Sequence, residues 1–287
     1  MKSDLPTATL LVSCPDQKGL VAKIANFIYS NDGNIIHADQ HTDFNTGLFL
    51  TRVEWLLDDG FVLPRNEIAQ EFAQFASTIK ANWQLFFSDC KPRMSVWVSK
   101  QDHCLLDLLW RTKAGDLPVE VPLIISNHPD LKYIGDQFGI DYHYLPINKE
   151  NKSHQEAEQL KILRQYQIDL VVLAKYMQVI TAKFISEFGQ IINIHHSFLP
   201  AFVGANAYQK AYERGVKIIG ATAHYVTDDL DAGPIIEQDI ISISHRDDVK
   251  ELVYKGKDLE RTVLSRAVKL HLQNRILVYN NRTVVFK

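Results

Sequence analysis

The alternation of apolar and polar positions in the first 88 residues predicts short strands and two helices. Residues 7–13 (Thr-Ala-Thr-Leu-Leu-Val-Ser) form a strand-like run, and between 18 and 30 the positions Leu20, Val21, Ile24, Ala25 and Ile28 recur at helical spacing. Asn31-Asp32-Gly33-Asn34 ends that helix with turn chemistry, and strand-like runs follow at about 35–43 and 48–57, separated by Asn45-Thr46-Gly47. A helix over 66–80 and a strand over 83–88 complete the order βαββαβ, a ferredoxin-like α+β unit. Between its first strand and helix, Asp16 is the expected N-cap and Gly19 is expected to permit close backbone approach, so the helix start could hold a small carboxylate.

Asp89-Cys90-Lys91-Pro92 is polar and carries a proline, and beyond it the pattern changes to buried strands alternating with helices. The expected domains are therefore 1–88 and 93–287, joined by a linker at 89–92. Runs at 94–99, 121–126 and 170–174 predict strands, with helices near 103–112 and 150–167, which is the pattern of a mostly parallel sheet. Two later runs, 217–226 and 234–243, lie close enough in sequence to pair antiparallel. A helix of about 25 residues from Asp247 and a hairpin turning at Asn280-Asn281 finish the chain, which belongs to the α/β class.

Composition narrows the choice of partners. Of 287 residues, 46% are hydrophobic and 23% charged, which suits a chain folded throughout. A formal net charge of −3 provides no field to gather nucleic acid. No apolar run reaches the roughly 20 residues that span a bilayer, and the opening Met-Lys-Ser-Asp-Leu-Pro lacks the apolar core of a signal peptide, so a cytoplasmic location is expected. Cys14, Cys90 and Cys104 are odd in number, far apart, and expected to be free thiols.

Candidate chemistry concentrates in two stretches. In Ile191-Ile192-Asn193-Ile194-His195-His196-Ser197-Phe198-Leu199-Pro200 an apolar strand carries Asn193 and His195 two residues apart, on one face. This suits an oxyanion-stabilising pair as well as it suits a strand end capped by polar groups. From 227 to 233 the sequence Thr-Asp-Asp-Leu-Asp-Ala-Gly precedes Pro234; such charge clusters are usually solvated, but the tight turn after Asp231 would hold that carboxylate still, as a base requires. Adjacent strand residues point to opposite faces, so His195 and His196 are not expected to share a metal ion, and no metal or cofactor is expected.

Together the two stretches resemble the folate-dependent formyltransferase family: Asn193, His195, Ser197-Phe198-Leu199-Pro200, then Asp231 and Gly233, with Gly204 and a helix around 208–214 between them. The resemblance covers about 93–287 and implies a Rossmann-like domain. By resemblance Asn193 and His195 stabilise an oxyanion on the formyl carbon, Asp231 positions His195 and a water and handles the proton, and His224 supports them. Met177, Gln178, Val179 and Ile180 match a pterin-contacting segment, although Met177 alone would suit core packing equally, and Thr227, Asp228, Asp229 and Leu230 would close over the other side.

Members of this family that formylate glycinamide ribonucleotide have a glycine-rich phosphate loop after their first strand, where this chain reads Ser99-Lys100-Gln101-Asp102-His103-Cys104. That run, together with His195-His196 where the transferases have His-Pro, resembles the deformylase branch. The implied reaction is attack of water on 10-formyltetrahydrofolate, giving formate for purine synthesis and tetrahydrofolate. Transfer to a small amine, or folate sensing without turnover, are the alternatives.

The segment about 7–87 resembles the ACT domain family, which implies side-by-side pairing into a homo-oligomer and an amino-acid effector, with glycine and methionine as candidates, near Asp16, Gly19, Leu20 and Asn34. Dimerisation without any ligand is the equal alternative.

Overall fold

The computed structural model describes residues 5–58, 60–201 and 207–287. The chain forms two units: one runs up to Lys91 and takes in Gln273–Lys287, and the other is Pro92–Leu272.

In the first unit, β1 (Thr7–Pro15), α1 (Leu20–Tyr29), β2 (Ile35–Asp43), β3 (Leu48–Leu56), α2 (Arg65–Thr78) and β4 (Asn82–Phe87) follow the anticipated βαββαβ order. Their strands lie antiparallel in the order β2-β3-β1-β4. Leu20, Ile24 and Ile28 repeat every four residues along α1, as do Ile68, Phe72 and Ala76 along α2, so each helix presents one apolar stripe. Those stripes bury against Leu10, Val12, Val53 and Trp55 of the sheet.

The neighbouring strand positions face the other way. Leu11 and Leu50 bury with Leu277 and Phe286 of the C-terminal segment, whose hairpin is β12 (Ile276–Tyr279) and β13 (Arg282–Val285). Arg52, almost fully buried, anchors the approach to that hairpin by donating from Nε to the carbonyl of Asn274 at 3.0 Å. The hairpin was expected within the second domain, yet it belongs with the first unit. The physical reason is that β1 is apolar on both faces and needs a second cover. Its turn is where the sequence put it: Asn280 (φ 44°) and Asn281 (φ 57°) are both left-handed, as a two-residue type I′ turn requires. Replacing Phe286, 2% exposed, with alanine should destabilise this unit by about 3–5 kcal/mol through the cavity left behind. Urea unfolding of the whole chain measures it, and an unchanged transition would show the hairpin to be dispensable packing.

Helix α1 departs from expectation at its start. Gly19, not Asp16, is the N-cap, and no side chain caps the helix. A Cβ on Gly19 would meet nothing within 4 Å, so the glycine serves its left-handed φ of 86° rather than close approach.

The second unit contains β5 (Arg93–Val98), α3 (His103–Ala114), β6 (Glu120–Ser126), α4 (Lys132–Phe138), β7 (Asp141–Tyr144), α5 (Lys152–Gln165), β8 (Leu170–Leu173), α6 (Ala182–Glu187), β9 (Ile191–His195), α7 (Ala207–Arg214), β10 (Ile218–Tyr225), β11 (Ile235–Ser242) and α8 (Val249–Leu272). Its sheet runs β11-β10-β9-β8-β5-β6-β7. Strands β9, β8, β5, β6 and β7 are parallel, while β10 is antiparallel to both β9 and β11.

The chain lays β6 and β7 on one side of β5 and then β8 and β9 on the other, so the order reverses between β5 and β8. Open α/β sheets bind ligands beyond the carboxyl ends of the strands at such a point. Trp97 on β5, fully buried, packs edge-on to Tyr176 (5.2 Å) and Phe184 (5.5 Å) and stiffens the sheet there. Among the described residues no helix is long and apolar enough to cross a membrane.

Candidate active site

Strand β9 brings the first part of the site together. Ile191, Ile192 and Ile194 bury in the sheet, and the strand alternation leaves Asn193 and His195 on one side. Antiparallel pairing sets His224 of β10 directly opposite Asn193, and Asn193 Nδ2 lies 3.2 Å from His224 Nε2. Nδ1 of His224 lies 2.8 Å from the backbone carbonyl of Tyr225, which can only accept, so Nδ1 carries the hydrogen. In the neutral ring Nε2 is then an acceptor, and the Asn193 amide donates to it. The 3.7 Å approach of that same Nε2 to Asp231 Oδ1 is too long for a hydrogen bond, and the amide contact decides the arrangement.

Asp231 reaches the site from the turn between β10 and β11. Its Oδ2 lies 3.2 Å from His195 Nδ1, and both side chains are nearly buried. The carboxylate is held by backbone: Asp231 has a left-handed φ of 54°, and Tyr225 N–H donates to the Pro234 carbonyl at 2.9 Å across the base of the turn. Burial by itself raises the Asp231 pKa. The close contact from His195, with the second imidazole of His224 beside it, outweighs it and holds the carboxyl well below the usual range. With Nδ1 turned to Asp231, Nε2 of His195 is buried and has no partner among the described residues. An unpaired buried ring nitrogen is costly, and it marks where a bound molecule would supply the missing bond.

The turn after β9 is clamped by groups that sequence reading passed over. Thr222, fully buried, accepts from Leu199 N–H (3.0 Å) and Gln238 Nε2 (2.9 Å) and donates to the Ser197 carbonyl (2.8 Å).

A second polar cluster was also missed. Glu260 of α8, 1% exposed, takes His103 Nε2 at 2.7 Å, Tyr208 O–H at 2.7 Å and Lys175 Nζ at 3.3 Å. Its pKa is raised by burial but driven down further by His103 and Lys175. His103, Cys104 and Glu260 are the described residues whose donors gather as a metal set would, within 4.8 Å. The carboxylate there is already satisfied by three donors, one of them an ammonium, which is an ion-pair arrangement. Glu260 has a legible signal: it falls in line with Leu252, Gly256, Val263 and Ala267 on the apolar stripe of α8. His196 corrects a further expectation. It lies just past the strand end, alternation no longer applies, and its ring stacks on that of His195 at 4.9 Å and 28°.

The other candidates are dispersed. Met177 and Val179 are exposed beyond β8, whereas Ile180 is buried in a core cluster with Leu173 and Phe184. Gln178 lies between them, partly buried. Thr227 is partly buried, and Asp228, Asp229 and Leu230 are exposed in the acidic turn. Gly204 lies outside the described residues.

In the first unit Leu20 is a core residue. Gly19 and Asn34 flank opposite ends of α1, a ten-residue helix about 15 Å long, so one chain does not bring them together. An open groove between α1 and α2, lined by Lys23, Asn26, Phe27, Glu71 and Phe75, contains none of these candidates.

Fold and site thus define a protein with a ferredoxin-like unit and a formyltransferase-type α/β unit. The ACT domain family matches residues 8–58, and the formyl transferase family matches 92–268. A formyltetrahydrofolate deformylase of Synechocystis sp. is 68% identical over 280 residues, covering 98% of each chain. One of Bacillus subtilis is 46% identical, covering 96% of this chain and 93% of its own. The crystal structure of a formyltetrahydrofolate deformylase from Pseudomonas syringae pv. tomato superposes with a TM-score of 0.96 at 41% identity, covering 100% of this chain and 96% of that one. The chain belongs to the formyltetrahydrofolate deformylase family.

Proposed function

We propose that this chain hydrolyses 10-formyltetrahydrofolate to formate and tetrahydrofolate, supplying formate for purine synthesis and balancing the one-carbon folate pool. The observation that carries the reading is the buried, unpartnered Nε2 of His195 beside an amide and an anionic carboxylate. Water oxygen bonds to the formyl carbon as the carbonyl pair moves onto oxygen. The oxyanion is held by the free N–H of Asn193 and by the protonated ring of His195. Asp231 takes the proton of the water and passes it to N10 as the carbon–nitrogen bond breaks. His224 keeps the Asn193 amide aimed. No resident metal or cofactor enters this scheme.

The pterin would lie against the backbone of 177–180, with Thr227 to Leu230 closing over the other side, and Gly204 remains a candidate substrate-binding residue. Asp16, Gly19, Leu20 and Asn34 are candidates for an amino-acid effector site, glycine or methionine, completed between two copies paired through the N-terminal unit. The separation of Gly19 from Asn34 along α1 supports a shared rather than a single-chain site.

Incubation of the purified chain with 10-formyltetrahydrofolate and no acceptor tests the reaction. Formate and tetrahydrofolate in equal amounts are expected; loss of substrate only when an amine is added would mean transfer, and binding without loss would mean sensing. Asn193→Ala should lower kcat by about 10²–10³-fold with a smaller change in KM, because one oxyanion donor is removed. Steady-state kinetics measures this, and an unaltered kcat would remove Asn193 from the mechanism.

A further inference from the structure

Among the described residues His196 is the ring that stacks on His195, and the proposed reaction assigns it no task. Its ring stacks on that of His195, and the ring of Tyr208 stands 5.8 Å from it. Tyr208 is fixed from α8 by two residues one turn apart. Glu260 accepts its hydroxyl at 2.7 Å, and Gly256 leaves the space that the phenol fills, since a Cβ there would run into the Tyr208 ring and oxygen. Glu260 is fixed in turn by His103 and by Lys175, an almost fully buried lysine with a left-handed φ of 67° at the carboxyl end of β8. Buried charge and strained backbone are both unfavourable in themselves, and here they converge on the wall that holds one partly exposed imidazole.

Neither ring nitrogen of His196 bonds to another of the described residues. Resting on the hydrolytic reading above, we propose that His196 is a positioning residue for the attacking water, accepting a hydrogen bond that turns the water's lone pair toward the formyl carbon. The ring stays uncharged for this task. Burial, then the charge of Lys175 and the neighbouring His195 ring, push its pKa down to about 4 against the opposing pull of Glu260 and Asp231. An uncharged ring keeps a lone pair for the water and leaves proton transfer to Asp231.

The test compares wild type, His196→Phe and His196→Gln as intact chains, each with 10-formyltetrahydrofolate alone and with hydroxylamine. Hydroxylamine reaches the formyl carbon from bulk solution and needs no held water. In His196→Phe, formate release should fall roughly 10²-fold at nearly unchanged KM, while formohydroxamate production stays within a few fold of wild type. Glutamine, which restores an acceptor oxygen, should recover much of the loss. If the phenylalanine chain does not fold, His196→Ala gives the same comparison.

Undiminished formate release in His196→Phe overturns the proposal, as does equal loss of both reactions, which would mark a merely structural role. Failure of wild type to release formate without an acceptor would instead overturn the hydrolytic reading on which it rests.

Discussion

Asp231→Asn should lower kcat for formate release by about 10²–10⁴-fold while folate affinity stays within a few fold of wild type. Asparagine keeps the shape of the turn, and it tolerates the left-handed backbone that Asp231 adopts. What it loses is chemical. The amide cannot take a proton from water, and it gives His195 Nδ1 no anionic partner at the 3.2 Å contact.

The same substitution should change the response to acid. Because the folded pKa of Asp231 lies below its unfolded value near 3.9, the carboxylate contributes stability that is present above that value and lost as pH falls through the folded one. The variant should lack that contribution at neutral pH and lose correspondingly less on acidification. Steady-state kinetics with folate binding by fluorescence, alongside unfolding at several pH values, measures both effects. Near-normal turnover would remove Asp231 from the mechanism.

Gly233→Ala should be as damaging by another route. A Cβ at 233 would run directly into the backbone carbonyl of Tyr225, which cannot move without disturbing the end of β10. Overpacking of this kind costs about 1–3 kcal/mol or more in stability. Here it would also swing Asp231, two residues earlier, away from His195. The expected result is a chain that unfolds at lower urea and, while still folded, has lost most of its kcat. Wild-type activity in a stably folded Gly233→Ala chain would show that the turn tolerates displacement and that Asp231 is not held by it.

Local periodicity made much of this molecule readable. Strand β9 announces its polar face because Asn193 and His195 are separated by one apolar residue, and the hairpin turn announces itself because two adjacent asparagines favour left-handed backbone. The short elements α4, β7 and α6 escaped, since seven, four and six residues carry too little repeat to register. The capping of α1 was misjudged because Asp16 has the usual capping side chain, whereas the local backbone required a left-handed residue three positions later.

Long-range pairing was the harder part. Nothing near the C-terminal hairpin says what it covers; the signal is in β1, near the other end of the chain, where Leu10 and Leu11 are both apolar and so demand cover on both faces. Likewise the cluster of His103, Lys175, Tyr208 and Glu260 draws on four separate segments, and only Glu260, a charge on an apolar helical stripe, hinted at a buried partner. The stacking of His196 on His195 was hidden by an alternation rule that holds inside a strand and lapses one residue after it ends.

The most direct test is the crystal structure of this chain with a hydrolytically inert 10-formyl folate analogue. The account requires the formyl oxygen within about 3 Å of both Asn193 Nδ2 and His195 Nε2, with Asp231 facing the formyl carbon from the water's side. An analogue bound elsewhere, leaving His195 Nε2 still without a partner, would contradict it.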